Sequence, residues 1–551
     1  MSNIDFVHDG IGHFISDNFL KVPLYQRSFA WEINNVQELF EDIKNTYPDE
    51  YFIGTIVVTD KDDYLEIVDG QQRLATISLF FIAARELFKE IGEDRRAGII
   101  EKDYLVKEGL REEETQQRIT LNSIDNEFYL KALIKKHNIK PTRNSHNRLL
   151  KAYNYLREFI KNKYESEGTD HILDLIEFIN KKLLIVIVKV SDDANAFTVF
   201  ETLNDRGLVL SQTDLIKNYL FNKASNRLTE AQDKWSRFSG AIESAASEDE
   251  ILNYIRYYWS SKYGLTREKE LYKSIKDKIR NKNQAVTLLN NLEKNAEMYL
   301  ALLNPNHQLW NNFPPKCSEY ISELLELRLT QNRPLLIALL EIWKDKPEEV
   351  KKALKLIVSW SVRNLITGVI GSGTLEKEFS RQAKLINEGK INNGRELLNS
   401  IRDLIPTDEQ FKKAFEIATV SKAYIARYYL RKLEQAYRTT SELEPIKNPE
   451  KANLEHILPE NPTDLQGDWP SFDENLHKTY YRKIGNLTLL DKRMNSNTGN
   501  GPFRDKKLVY KDSELIITQK ITEHNDWTHS EIEKRQKEFA EKAVEIWTLK
   551  I

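Results

Sequence analysis

Between Asn222 and Tyr437 apolar residues recur three and four positions apart, in stretches rich in Leu, Lys and Glu such as Glu323-Leu324-Leu325-Glu326-Leu327 and Val350 to Val362. That spacing gives each segment one apolar stripe on a helix. Pro305, Pro314, Pro315, Pro334 and Pro347 punctuate the series, and no fixed repeat period runs through it. A helical block of this size in the middle of a 551-residue chain excludes a single continuous sheet-based domain.

The flanks read differently. Tyr51 to Thr59 and Tyr64 to Val68 are rich in β-branched and aromatic residues around a short polar turn, which predicts a hairpin. Gln71 to Phe88 then has helical spacing, and Lys182 to Val190 predicts a buried strand. A polar, Pro-containing stretch, Thr439 to Pro449, ends the helical block. Ser530-Glu531-Ile532-Glu533 has the form of a capping box opening a last helix, whose apolar face is Ile532, Phe539, Ala543, Ile546 and Trp547. The expected organisation is a multidomain α+β chain. It has an α/β domain over 1–222, an all-helical spacer over 223–445 and a third domain over 446–551.

Charge narrows the function. Lys and Arg number 81 against 84 Asp and Glu, a net charge of −3, so the chain is no uniformly basic nucleic-acid coat. Its one cysteine, Cys317, excludes an internal disulfide and a paired-cysteine zinc site. Apolar runs such as Leu183 to Val188 fall far short of the ~20 residues of a membrane span, and a cytoplasmic protein with no membrane partner is expected.

Against that balanced background, residues 478–511 carry nine Lys and Arg and two Asp, a local net of +7. Lys483, Lys492, Arg493, Arg504, Lys506 and Lys507 are the candidate DNA phosphate contacts in this run. It overlaps the sharpest motif in the chain: Leu454-Glu455-His456-Ile457-Leu458-Pro459, then Ile484-Gly485-Asn486-Leu487-Thr488-Leu489-Leu490, then Asn495, Phe503 and Lys506. Phosphodiester hydrolysis needs a base to activate water and a cation to neutralise charge at phosphorus. A His beside oxygen donors such as Glu455 and Asn495 could supply both. The combined pattern resembles the HNH (ββα-metal) nuclease family. That resemblance implies His456 as general base and Glu455 and Asn495 as ligands of Mg2+ or Mn2+. It further implies Asn486 as the residue that holds the His-bearing loop.

The second motif is Val68-Asp69-Gly70-Gln71-Gln72-Arg73, at a strand-to-helix junction. Gly permits a sharp turn there, and helix-start N–H groups with Arg73 one turn in favour an anion, phosphate above all. Gln71 and Gln72 add amides that could orient a phosphate or water. Gln26 and Arg27 lie in a Pro-x-Tyr-Gln-Arg segment, and Arg206 in Asn-Asp-Arg-Gly. No P-loop occurs. The three clusters in this order resemble the DGQQR family, a ParB/sulfiredoxin-like domain found in GmrSD-type restriction systems and in phosphorothioate-sensing defence nucleases. The resemblance implies an NTP site centred on Asp69, Gly70, Gln71, Gln72 and Arg73, with Gln26, Arg27 and Arg206 beside it.

Together the motifs resemble a fused GmrSD-type, modification-dependent restriction endonuclease. This implies an NTP-regulated, metal-dependent enzyme that cleaves modified double-stranded phage DNA. Two other readings stay open: a DNA-binding regulator with an inactive nuclease fold, and a nucleotide hydrolase acting on cellular NTP pools. The sequence is compatible with a homo-oligomer, and it leaves open the modification read, the preferred NTP and whether it is hydrolysed.

Overall fold

The computed structural model describes residues 4–23, 26–61, 63–107, 116–122, 124–190, 211–247, 249–438 and 452–551. The expected linker Thr439 to Pro449 and the segment carrying Arg206 lie outside them. The chain forms two compact units, residues 1–240 with 268–293, and residues 241–267 with 294–551. It is mostly helical; among the described residues the first unit has a six-stranded mixed sheet and a two-stranded one pairing Val106–Lys107 with Gln116–Gln117, and the second unit has a two-stranded sheet.

In the first unit six strands pair in the order β1–β6–β3–β4–β2–β5. They are β1 (Ile4–Gly10), β2 (Leu20–Lys21), β3 (Tyr51–Lys61), β4 (Tyr64–Asp69), β5 (Ile119–Thr120) and β6 (Leu183–Val190). The expected hairpin is β3 antiparallel to β4, and the expected buried strand is β6, which runs parallel to β3 with Val57 opposite Val188. Helix α1 (Ile33–Thr46) follows the Gln26–Trp31 loop, and α2 (Gln71–Glu90) follows β4. Nearly every side chain of α2 from Leu74 to Phe88 is buried. Its apolar surface is thus wider than the stripe its spacing predicts, because neighbours cover every face. Its polar exceptions are satisfied: Ser78 bonds Tyr129, and Arg85 donates to Glu101 and to the Ile134 carbonyl. The last helix of this unit bearing on its site is α3 (Gln212–Ala224).

Two glycines shape the β3–β4–α2 junction. Gly70 adopts φ +94, and a Cβ there would lie 2.8 Å from the Ile56 side chain. Gly54, at a break in the β3–β6 register, adopts φ +113, and a Cβ there would lie 2.3 Å from Arg73 Nη1. Only glycine lets Arg73 lie so close against β3.

In the second unit, β7 (Ala452–His456) and β8 (Leu487–Asp491) form an antiparallel hairpin with His456 opposite Leu487. Helices α4 (Lys492–Thr498), α5 (Phe503–Tyr510) and α6 (His529–Ile546) follow. Trp469, Phe472, Phe503 and Trp527 are buried in one cluster beside the hairpin, and the helix at 423–437 packs on both strands. Helix α6 opens at Thr528, not at Ser530: Thr528 is its N-cap residue and its hydroxyl donates to Glu531. Cys317 is buried on the helix at 316–326, and burial pushes its thiol up to about 12. Among the described residues no helix is long and apolar enough to cross a membrane.

Gly54→Ala should lower stability by about 1–3 kcal/mol through its positive φ. The clash itself is relieved by displacing the flexible Arg73 guanidinium. Denaturation of the full chain should therefore show a modest loss, with the larger defect in whatever Arg73 binds.

Candidate functional site

The first unit holds a pocket of about 430 Å³ where the β4–α2 turn, the Gln26–Trp31 loop, α1 and the start of α3 meet. Its walls include Gln26, Arg27, Asp69, Gly70, Gln71, Gln72 and Arg73, so seven of the eight expected nucleotide-site residues lie together, and Arg206 falls outside the described residues. The loop is fastened from several sides. Gln26 Nε2 donates to the Val68 carbonyl at 2.8 Å, Asn122 donates to the Gln26 carbonyl, and Phe29 N–H donates to Asp125. Gln72 Oε1 accepts from the Ala30 and Trp31 amides, and its Nε2 donates to the Ser28 carbonyl. Gln71 Nε2 donates to the Arg27 carbonyl. The two glutamines therefore pin the loop carrying Arg27, where the sequence suggested amides turned toward a phosphate or water.

Arg73 Nη1 donates to the Ile53 carbonyl at 2.9 Å while Nη2 lies 3.8 Å from Asp69 Oδ2. Burial holds the Asp69 carboxyl above its ordinary range, against the pull of Arg73. A second carboxylate, not foreseen, faces the same space. Asp214, in the first turn of α3, is hydrogen-bonded by Ser211 and by Lys217 at 2.8 Å, with Arg27 Nη1 at 3.9 Å. Burial would raise it, but Lys217 and Arg27 prevail and hold it at about 2. The pocket thus gathers three cations, Arg27, Arg73 and Lys217, around two carboxylates of opposite bias. Glu38 and Asp42 also line the walls, so the pocket carries four carboxylates to three cations and favours an anionic ligand only close to Arg27, Arg73 and Lys217.

The second site lies at the end of β7. His456 is half-buried, and burial pulls its imidazole below the ordinary value, with Glu460 opposing and Lys506 and Arg482 assisting. It is therefore a neutral base at pH 7. The chain beyond it is closed by Asn486, whose side chain is fully buried. Asn486 Oδ1 accepts from the Leu458 amide at 2.8 Å and from Trp527 Nε1 at 2.9 Å. Its Nδ2 donates to the Leu458 carbonyl at 2.9 Å and the Tyr481 carbonyl at 3.0 Å. Helix α6 braces the turn before β8: Gln536 accepts from Gly485 N–H, and Arg535 donates to the Gly485 and Leu487 carbonyls. Nothing local in the sequence marks Arg535, Gln536 or Trp527 for this role. His477 donates to the Pro459 carbonyl and stacks on Tyr481, a structural position.

Adjacent residues of a strand point to opposite faces, and Glu455 and His456 have different surroundings. Glu455 Oε1 accepts from Lys506 Nζ at 2.7 Å and from Tyr510 at 2.8 Å, and Lys506 Nζ also donates to the His456 carbonyl. Asn495 is half-buried on α4, which packs against both strands. This donor set does not fit a divalent ion. Its one carboxylate is already neutralised by a buried ammonium, and among the described residues no three His, Cys, Asp or Glu side chains gather.

The basic run does not form one surface either. Lys492, Arg493 and Arg504 are exposed, whereas Lys483 and Lys506 are buried and Lys507 donates to the His524 carbonyl. Lys506 in particular cannot face DNA: its side chain is 1% exposed.

Two protein-family models match this architecture. The model of the GmrSD restriction endonuclease N-terminal domain matches residues 11–221, and that of the GmrSD C-terminal domain matches 405–542. The first match covers the pocket and the second the hairpin with its surrounding helices, together well over half the chain. The chain belongs to the GmrSD restriction endonucleases, and with both domains on one polypeptide it is a DNA endonuclease. No curated protein matches it.

Lys506→Met would leave Glu455 buried beside a methyl group, at a cost of about 3–5 kcal/mol. Glu455→Gln combined with Lys506→Met should recover much of that loss. Chemical denaturation of the two variants checks the assignment: equal stability of Lys506→Met and wild type would refute it.

Proposed function

We propose that β7, β8 and α4 form an HNH-type ββα nuclease unit and that the six-stranded sheet belongs to a ParB/sulfiredoxin-like domain that binds NTP. The whole is then a nucleotide-regulated endonuclease that cuts modified DNA in defence against phage. One observation carries the nuclease assignment. His456 ends a strand at a loop whose next turn is closed by all four hydrogen bonds of the buried Asn486 amide. A neutral imidazole held on a rigid edge is the arrangement that general-base catalysis requires.

In the proposed step His456 takes a proton from a water as its oxygen attacks phosphorus and the bond to the leaving oxygen breaks. Asn486 acts at one remove, by holding the backbone beyond His456. The exposed Lys492, Arg493 and Arg504 offer phosphate contacts on either side of Asn495. Glu455 serves the strand by balancing Lys506. Regulation by NTP is supported by the separate pocket around Arg27 and Arg73, which lies in the first unit while His456 lies in the second.

Plasmid nicking by the full chain tests this reading. His456→Ala should lower cleavage by about 10²–10⁴-fold with DNA binding and melting temperature retained. Unchanged cleavage would leave only a DNA-binding role. Arg73→Ala should instead remove the response of cleavage to added NTP. Because the His456 pKa is lowered below 6.5, activity should persist below pH 6.5 and fall only as the pH drops through the depressed value. Glu455→Gln should leave any dependence on Mg2+ or Mn2+, read against EDTA, where the wild type has it.

A further inference from the structure

The end of β7 that carries His456 has its own charged neighbours. Glu460, Lys506 and Arg482 are the charged side chains that act on the imidazole. Lys506 is already committed, because its buried ammonium serves Glu455 and the His456 carbonyl. That leaves Arg482, whose side chain is 45% exposed and whose Nη2 donates to Glu460 Oε1 at 2.9 Å. Its guanidinium lies 4.9 Å from the centre of the Tyr481 ring, which lies 6.4 Å from that of His456, so the two are at most about 11 Å apart.

The pair is placed by the backbone. Asn486 Nδ2, which closes the loop beyond His456, also donates to the Tyr481 carbonyl at 3.0 Å. The next carbonyl, that of Arg482 itself, accepts from the Val420 amide at 3.0 Å, and Lys483 bridges to Thr419. On the other side His477 fixes the Pro459 carbonyl, one residue before Glu460. One asparagine thus holds the chain both beyond the imidazole and at the residue before Arg482. The two charged side chains stay half in solvent. An ion pair so exposed contributes little. A phosphate, which accepts two parallel N–H bonds from a guanidinium, can take the place of Glu460.

Resting on the reading of His456 as the general base, we infer that Arg482 is a further catalytic residue, which leaves Glu460 for the scissile phosphate and stabilises the charge that builds there. A phosphate fills the gap. Hydrogen bonds of about 2.9 Å and an attack distance of about 3–3.5 Å set a water and a phosphate in series between imidazole and guanidinium. As the water oxygen bonds to phosphorus, its proton passes to His456. The bond to the leaving oxygen breaks with its electron pair on that oxygen, which solvent protonates. Arg482 donates to the non-bridging oxygens and holds them most strongly when their charge peaks. Glu460 is its resting partner, displaced as the phosphate arrives.

Steady-state nicking of supercoiled plasmid by the full chain, with a melting temperature for each variant, tests this. Arg482→Ala should lower kcat by about 10²–10³-fold, with KM and melting temperature near wild type. Arg482→Lys should recover only part of that, because a point charge lacks the fork. Glu460→Gln should raise kcat/KM by up to about fivefold, because phosphate no longer competes with a carboxylate. In the double variant, Arg482→Ala with Glu460→Gln, that gain should vanish. If Arg482→Ala raises KM and keeps kcat, Arg482 is an ordinary phosphate contact; if kcat and melting temperature fall together, it is a structural residue. Either result overturns the proposal. A Glu460→Gln variant as slow as Arg482→Ala overturns the exchange of partners. If His456→Ala cuts at the wild-type rate, the general-base reading fails instead, whatever Arg482 does.

Discussion

A carboxamide has two donors and two acceptor lone pairs, and at Asn486 all four are used inside the protein. The partners come from three places in the sequence: both backbone groups of Leu458, the Tyr481 carbonyl and the Trp527 indole. No other small side chain offers that combination. Aspartate would present no donor to the two carbonyls, and alanine would leave four buried groups unsatisfied. The position of His456 follows from this knot, because the chain cannot leave β7 in another direction while Leu458 is held. Helix α6 secures the same corner from behind through Arg535 and Gln536.

Each site also contains a buried lysine–carboxylate pair: Lys506 with Glu455 behind His456, and Lys217 with Asp214 in the pocket. Buried pairs of this kind contribute little net stability, since desolvation offsets much of their attraction. They do impose geometry. Lys506 bridges Glu455 and the His456 carbonyl, tying α5 to the end of β7. Lys217 bridges Asp214 and Gln26, tying α3 to the loop that carries Arg27.

Local signals read well from the sequence wherever the relevant physics is local. The β3–β4 hairpin, the turn at Gly70 and the start of α2 follow from β-branched runs, a conformationally permissive glycine and helical spacing. Burial is another matter. Lys506 and Arg504 look alike in a basic run, yet one is sealed against Glu455 and the other is 85% exposed. Asp214 and Lys217 have the i,i+3 spacing of an ordinary surface pair, so nothing nearby marks them as walls of a pocket. Gln71 and Gln72 look like ligand amides until the Gln26–Trp31 loop is folded over them. Capping shows the same limit on a small scale: Thr528 and Ser530 each have a Glu three residues on, and only the fold decides that Thr528 is the N-cap.

Cys317, sealed in its helix and held protonated far above neutral pH, leaves the native chain without an accessible nucleophilic sulfur. A cysteine placed at an exposed position such as Arg504 would therefore be the sole point of attachment for a maleimide dye or spin label. Fluorescence or spin-resonance reporters could then follow either unit against a silent background, with no cysteine removed beforehand.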